Sequence, residues 1–177
     1  SGYTIAAVDP AAGGDKTAIV VKSAHLQEIV FNQKTQNTMD IVTKVMEVNR
    51  EYKVDYWVID KTGIGQGVFD RLRELDYPVR GVSFGEKSED PQYQNLKAEW
   101  HFRERKWLLS GGRLVRHEGW NEFEYVKYKH KDSKIIMQPK EDLFKEGLMS
   151  PNCVDAAILT QVINDSTIRS NRLVKHN

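Results

Sequence analysis

Short apolar runs separated by brief polar breaks open the chain. Residues 3–9, 17–22 and 25–31 are rich in aliphatic and β-branched side chains, which predicts three strands in quick succession. Connections this short favour an antiparallel meander. The next apolar positions recur at helical spacing, and Thr38 precedes them as a candidate N-cap. The residues expected on the buried face of this helix are Ile41, Val42, Val45, Met46 and Asn49.

The pattern then alternates between strand and helix. Strands are predicted at 55–60, 79–84 and 134–138, and helices after the turn 63–67, at 93–109 and at 151–164. Ser150 is the candidate N-cap of the last helix, with Pro151 at its first position. Asp132 and Ser133 predict a hairpin turn, whereas residues 121–129 fit neither period. The order predicts an α/β fold with a mixed sheet, antiparallel in its first three strands and then parallel, flanked by helices on both faces.

Composition restricts the classes of protein to which the chain can belong. Its 177 residues are 40% hydrophobic and 29% charged, which predicts one domain over residues 1–177, with 165–177 as a flexible tail. A net charge of +1 gives little general attraction to nucleic acid, so any DNA contact must be local. The single Cys153 excludes an internal disulfide framework. No apolar run reaches the roughly 18 residues that a membrane span needs.

Carboxylates fall at corresponding places in this pattern. Asp9 ends the first strand, Asp60 ends the strand after the first helix, and Asp155 lies in the early turns of the last helix. Carboxyl ends of strands in an open α/β sheet line the crevice where ligands bind. Carboxylates stay charged at close range only with a cation among them, and hard oxygen ligands favour Mg²⁺ or Mn²⁺. The five histidines show no paired spacing, which argues against zinc.

Two glycine-rich stretches invite a nucleotide-binding interpretation that their spacing rejects. In residues 9–17, Asp15 separates Gly14 from Lys16, whereas a Walker A loop needs the lysine directly after the glycine. Residues 63–67 contain three glycines without the third-glycine spacing of a dinucleotide fingerprint. They predict a tight turn between strand and helix. Taken alone, Asp9 is better explained as a residue that caps a turn. Because Asp60 and Asp155 lie in matching contexts, a role for Asp9 in a carboxylate site becomes the preferred interpretation.

Three segments together resemble the nuclease domain of the large terminase subunit of tailed bacteriophages, the motor that packages their DNA. In chain order they are AAVDPAAGGDKTAIV, YWVIDKTGIGQGVFDRL and KEDLFKEGLMSPNCVDAAILT. They cover nearly the whole chain, and the second and third are the more specific. The resemblance implies an RNase H-like fold and a metal-dependent DNA endonuclease that cuts concatemeric viral DNA during genome packaging.

The same resemblance implies roles for individual residues. Asp9, Asp60 and Asp155 take the positions of the family's catalytic, metal-binding acids, and Asp15 that of an accessory acid at the second metal position. Two Mg²⁺ or Mn²⁺ ions about 3.5–4 Å apart would then promote in-line hydrolysis of a phosphodiester, with Asp9 bridging both ions. The family often has aspartate where this chain has Asn152, so that position loses a ligand charge.

Partners follow from the resemblance as well. They are double-stranded DNA, the portal protein, the small terminase subunit and an N-terminal ATPase domain of a longer parent chain, in the host cytoplasm and away from membranes. The candidate contacts to DNA phosphates are Lys127, Lys129, Lys131 and Lys140. Three other functions stay open at this point: a Holliday-junction resolvase of the same fold, an actin-like ATPase, and a DNA-binding module without catalysis.

Overall fold

A computed structural model describes residues 2–162 of the protein. The expected tail 165–177 lies outside the described residues. The strands are β1 Ile5–Asp9, β2 Lys16–Ser23, β3 Leu26–Lys34, β4 Tyr56–Asp60, β5 Val79–Val82, β6 Arg113–Leu114, β7 Tyr128–Lys131 and β8 Lys134–Met137. The helices are α1 Thr38–Tyr52, α2 Gly65–Glu74, α3 Leu96–Leu109, α4 Lys140–Lys145 and α5 Asn152–Leu159, with 3-10 helices at Glu118–Glu124 and Thr160–Val162. No helix within this part of the chain is long and apolar enough to cross a membrane.

Six strands form the main sheet in the order β5-β4-β1-β2-β3-β6. The first three strands pair antiparallel, and β1–β4, β4–β5 and β3–β6 pair parallel. This confirms the predicted mixed sheet. Because β1 lies between β2 and β4, the chain must cross over through α1 to reach β4, and the carboxyl ends of β1 and β4 meet at one edge of the sheet.

Both faces of the sheet are covered, which explains why β1 and β4 are apolar without alternation. Ala6 and Val8 of β1 face a core layer that includes α1 and α2. Ile5 and Ala7 face the opposite layer, built with α3 and α5. All five residues of β1 and of β4 are buried. The acids that end these two strands are therefore fixed by a rigid, doubly covered centre of the fold.

The structure corrects the predicted ends and faces of two helices. Asn37, not Thr38, caps α1, because its side-chain oxygen accepts the N–H of Asp40 at 3.0 Å. In α1, Met46 is 39% exposed and Val48 is buried instead, since the helix presents a slightly different face to the sheet. The last helix has Pro151 as its N-cap and ends at Leu159 before a 3-10 turn, so it is shorter than the predicted 151–164.

Between α3 and α5 the chain forms elements that the pattern defined only in part. Residues 118–124 form a 3-10 helix that packs on α5. The hairpin β7–β8 turns at Asp132 and Ser133, both with positive φ, as the sequence predicted. The helix α4 was not predicted. It has only six residues and no side-chain cap, so its sequence carries little helical signal.

Candidate metal centre

Asp9 and Asp60 lie side by side at the carboxyl edge of the sheet. Val8 pairs with Ile59 in the parallel β1–β4 ladder, so the next residue of each strand is an aspartate. Both aspartates are buried, with 7% and 9% of their surface exposed. Asp60 is also oriented locally, because its Oδ1 accepts the N–H of Thr62 at 3.0 Å.

Gly65 makes the turn after Asp60 possible. A Cβ at this position would collide with the backbone carbonyl oxygen of Asp60. The chain therefore folds back onto the end of β4 so closely that only glycine fits. This confirms the predicted tight turn and explains part of the glycine-rich stretch 63–67 without a nucleotide.

Asp155 reaches the same edge from α5. This helix packs against β1 and β2, and Asp155 is completely buried. Burial and then the charge of Asp155 raise the pKa of Asp9 well above its ordinary value. Asp60 and Asp15 raise the pKa of Asp9 further. The other three acids that the sequence singled out thus lie within electrostatic range of Asp9, and Asp15 acts on it most weakly.

Two lysines neutralise Asp155. Lys140 Nζ lies 3.1 Å from Oδ2 and Lys97 Nζ lies 3.9 Å from Oδ1. Burial by itself would lower the pKa of Lys140, but the charges of Asp155, Asp9 and Asp60 outweigh burial and raise that pKa above its ordinary value. The sequence allowed Lys140 only a weak role near the site, and the unpredicted α4 is what brings it there.

Lys97 and His101 are site residues that the sequence analysis missed. They lie four residues apart on α3, which places both on one face of the helix. Burial lowers the pKa of His101 to about 4, so the imidazole is neutral above that pH. Their i, i+4 spacing was visible in the sequence, but nothing in it showed that this face of α3 points at Asp155.

Asn152 joins Asp15 to the start of α5. Its amide Nδ2 donates to Asp15 Oδ1 at 2.6 Å, while its Oδ1 lies 2.8 Å from the hydroxyl of Ser150, which donates to it. Because the amide oxygen of Asn152 is already engaged, this residue positions Asp15. The stretch between Asp9 and Asp15 is held by Thr17, whose Oγ1 bonds both the backbone N–H and the carbonyl of Ala11 at 3.0 Å.

Within residues 2–162, no three acid, histidine or cysteine side chains already converge at the spacing of a metal site. Asp155 instead has ammonium groups as neighbours, and no backbone N–H or hydroxyl among these residues donates to either of its oxygens. Buried carboxylate oxygens without such donors match the hard-ligand preference of Mg²⁺ and Mn²⁺. The residues present therefore fit divalent ions, which would compete with Lys140 for the same oxygens.

The candidate DNA contacts lie mainly on the β7–β8 hairpin. Lys127, Lys129 and Lys131 are exposed and alternate along the strand, so they share one side of the ribbon. Tyr128 lies on the other side, with its ring 5.0 Å from that of Phe102 on α3. The aromatic contact holds the hairpin on α3 and leaves the three lysines free to face a polyanion.

Known proteins place this fold in one family. The model of the terminase RNaseH-like domain matches residues 6–142, which include Asp9 and Asp60 and end before Asp155. A comparison with curated protein sequences finds no match. Among solved structures, the nuclease domain of the large terminase subunit of bacterial virus Sf6 superposes with a TM-score of 0.79 at 15% identity, covering 93% of this chain and 90% of that one.

Two further terminase nucleases share the fold. That of thermophilic phage G20c, with bound magnesium, has a TM-score of 0.69 at 14% identity and covers 91% of this chain and 81% of its own. That of bacteriophage SPP1, with bound manganese, has a TM-score of 0.51 at 16% identity, with coverages of 89% and 84%. Identities this low establish the fold alone. Since the family match spans most of the sequence, the chain belongs to the terminase RNase H-like domain family.

Proposed function

We propose that this chain is a metal-dependent DNA endonuclease that cuts concatemeric viral DNA during genome packaging. The observation that carries the proposal is the meeting of Asp9, Asp60 and Asp155 at the carboxyl edge of the central strands. Membership of the terminase family supports the task, and the solved relatives with bound magnesium or manganese support the choice of ion. The proposed cofactors are therefore two Mg²⁺ or Mn²⁺ ions.

Each acid has a distinct place in the proposed centre. Asp9 is central, because the charges of Asp155 and Asp60 both act on it, and it would bind both ions. Asp60 and Asp155 would each hold one ion, and Asp15 would support the second ion. When bound, the ions would make an attacking water more acidic and stabilise charge on the scissile phosphate. The ordinary serine and cysteine side chains need no part in this hydrolysis.

Lys140 has two possible partners in the proposed reaction. It neutralises Asp155 in the present structure, at 3.1 Å. With an ion held by Asp155, the ammonium group of Lys140 would lose this contact, and because 36% of its side chain is exposed it could turn toward a DNA phosphate. The ammonium group of Lys140 would therefore pair with Asp155 before metal binds and with a phosphate of the DNA afterwards.

Duplex DNA would be held by few local charges. The exposed hairpin lysines at 127, 129 and 131 supply cations, while the acid cluster repels phosphate until ions are bound. Weak binding of this kind suits a domain whose DNA is delivered by other parts of a packaging machine. An N-terminal ATPase domain, the portal protein and the small terminase subunit are the proposed partners, in the cytoplasm of the infected host.

The decisive experiment incubates supercoiled plasmid with the 177-residue chain in Mg²⁺, Mn²⁺ or EDTA and separates the products on a gel. Asp9→Asn, Asp60→Asn and Asp155→Asn each keep the side-chain shape and remove a ligand charge, so cleavage should be almost lost with the fold retained. Asp70→Asn is the matched control, because Asp70 is exposed on α2, where it accepts a local hydrogen bond from Gln66 at 3.0 Å.

The same assay separates the rival functions. Wild-type nicking by all three site variants would reject the carboxylate centre. Preferred cutting of four-way junctions over linear duplex would indicate a junction resolvase. Nucleotide binding without cleavage would indicate an ATPase, and DNA binding without cleavage in Mn²⁺ would indicate a non-catalytic module.

A further inference from the structure

We infer that Glu122 is a positioning residue for Asp155, because its carboxylate caps the N-terminus of the helix on which Asp155 lies. The inference rests on the proposed metal-dependent cleavage, since it concerns how one acid of that centre is held. Glu122 belongs to the 3-10 helix Glu118–Glu124, a segment whose structure the sequence pattern left undefined.

The helix α5 begins without a side-chain cap of its own. Its N-cap is Pro151, which makes no side-chain hydrogen bond, and the helix has only eight residues. The first four N–H groups of a helix have no acceptors within it. Here the N–H of Asn152 donates to the carbonyl of Ser150 at 2.9 Å, and that of Asp155 donates to the carbonyl of Pro151 at 2.8 Å. The N–H groups of Cys153 and Val154 remain.

Glu122 supplies an acceptor at this turn from a distant part of the chain. Its Oε1 accepts the N–H of Val154 at 3.0 Å across 32 residues of sequence. The neighbouring N–H of Cys153 also acts on this carboxyl group and lowers its pKa, against the larger effect of burial. A side-chain oxygen at this place satisfies an N–H group that the first turn of a helix leaves without an acceptor. The capped groups immediately precede Asp155 in the chain.

The contacts of the Asp155 carboxylate within residues 2–162 are with ammonium groups. No backbone N–H or hydroxyl among residues 2–162 donates to its carboxylate, and its neighbours there are the ammonium groups of two long lysine side chains. The position of the Asp155 oxygens therefore also depends on the backbone of the first turn of α5. Because Glu122 satisfies that turn, loss of its carboxylate should let the turn fray and move Asp155 away from Asp9.

The experiment measures Mn²⁺ binding by isothermal titration calorimetry on the whole 177-residue chain. Glu122→Ala should weaken Mn²⁺ binding about tenfold, a typical effect of losing a residue that orients a metal ligand. Glu122→Gln should bind within about twofold of the wild type, because an amide oxygen can accept the same hydrogen bond. Glu124→Ala is the matched control, since Glu124 is exposed on the same 3-10 helix.

A second measurement does not depend on metal. Amide hydrogen exchange in EDTA should show faster exchange at Cys153 and Val154 in Glu122→Ala and near-wild-type exchange in Glu122→Gln. If Glu122→Ala does not fold, Glu122→Asp takes its place, because the shorter side chain withdraws the acceptor while keeping the charge.

The outcomes distinguish this inference from the proposed function. Wild-type Mn²⁺ affinity in Glu122→Ala or Glu122→Asp would overturn the positioning role. Binding by Glu122→Gln that is as weak as in Glu122→Ala would also overturn it, since charge rather than capping would then matter. Protected first-turn amides together with a wild-type chain that neither binds Mn²⁺ nor cuts DNA would reject the proposed function and leave the cap established.

Discussion

Replacing Lys140 by methionine should destabilise the metal-free protein and strengthen its binding of Mn²⁺. Methionine keeps most of the aliphatic stem and removes the ammonium group that lies 3.1 Å from Asp155 Oδ2. The completely buried carboxylate would then keep only Lys97, whose Nζ is 3.9 Å from Oδ1. The negative charge of Asp155 would then be only partly neutralised, which favours binding of a divalent ion in place of the lost ammonium group.

The size of the effect follows from the geometry of the ion pair. At 3.1 Å and an effective dielectric constant of about 20, Coulomb's law gives an attraction of roughly 5 kcal/mol. Water screens part of this attraction, because 36% of the Lys140 side chain is exposed, and desolvation of the ammonium offsets more. We expect a net loss of about 2 kcal/mol in the free energy of unfolding, which lowers the melting temperature by about 4–8 °C.

Thermal unfolding in EDTA and in rising Mn²⁺, together with calorimetric titration of Mn²⁺, tests both halves of this prediction. Added Mn²⁺ should restore the melting temperature of Lys140→Met more than it raises that of the wild type, because the ion no longer competes with an ammonium. Lys145→Met is the control, since Lys145 is exposed on the same short helix. An unchanged melting temperature in EDTA, or weaker Mn²⁺ binding by Lys140→Met, would refute the reasoning.

Three further predictions follow from the site and its surroundings. Asp15→Ala should slow plasmid cleavage without abolishing it, with partial recovery at higher Mn²⁺, and full activity at limiting metal would show that Asp15 is only a turn residue. Burial raises the pKa of Glu122 to about 7 from 4.5, so its contribution to metal-free stability is present below pH 4.5 and is lost as the pH rises through about 7. The pKa of His101 is lowered from 6.5 to about 4, so its contribution to stability is instead lost as the pH falls. The test therefore compares the stability–pH curve of Glu122→Gln with that of the wild type, in which the His101 contribution is the same. Parallel curves between pH 4.5 and 7 would contradict the prediction for Glu122. In anisotropy titrations the chain should bind duplex DNA weakly and without sequence preference, and replacing Lys127, Lys129 and Lys131 by alanine should flatten the log–log salt slope by about 0.9 per lost phosphate contact; nanomolar, selective binding in EDTA would point to a dedicated recognition module.

The sequence determined the strands and the acids at their ends. The runs before Asp9 and Asp60 are apolar without interruption, because β1 and β4 are covered on both faces, and such runs are readable without coordinates. A carboxylate that directly follows such a run is placed at a strand end by the chain itself. The glycine turn after Asp60 was readable for the same local reason, since the close return of the backbone demands a residue without a side chain.

Only the tertiary structure decided what surrounds Asp155. Lys97, Glu122 and Lys140 come from α3, a 3-10 helix and α4, and they meet at α5 through packing between segments far apart in the chain. The 3-10 helix and α4 are short and carry weak local signals, so their ends could not be derived from periodicity. Which lysine or glutamate contacts a buried group of α5 depends on how distant segments pack against one another. The spacing of residues within one segment does not show this. The sequence therefore identified the acids, and the fold determined which charges neutralise and position them.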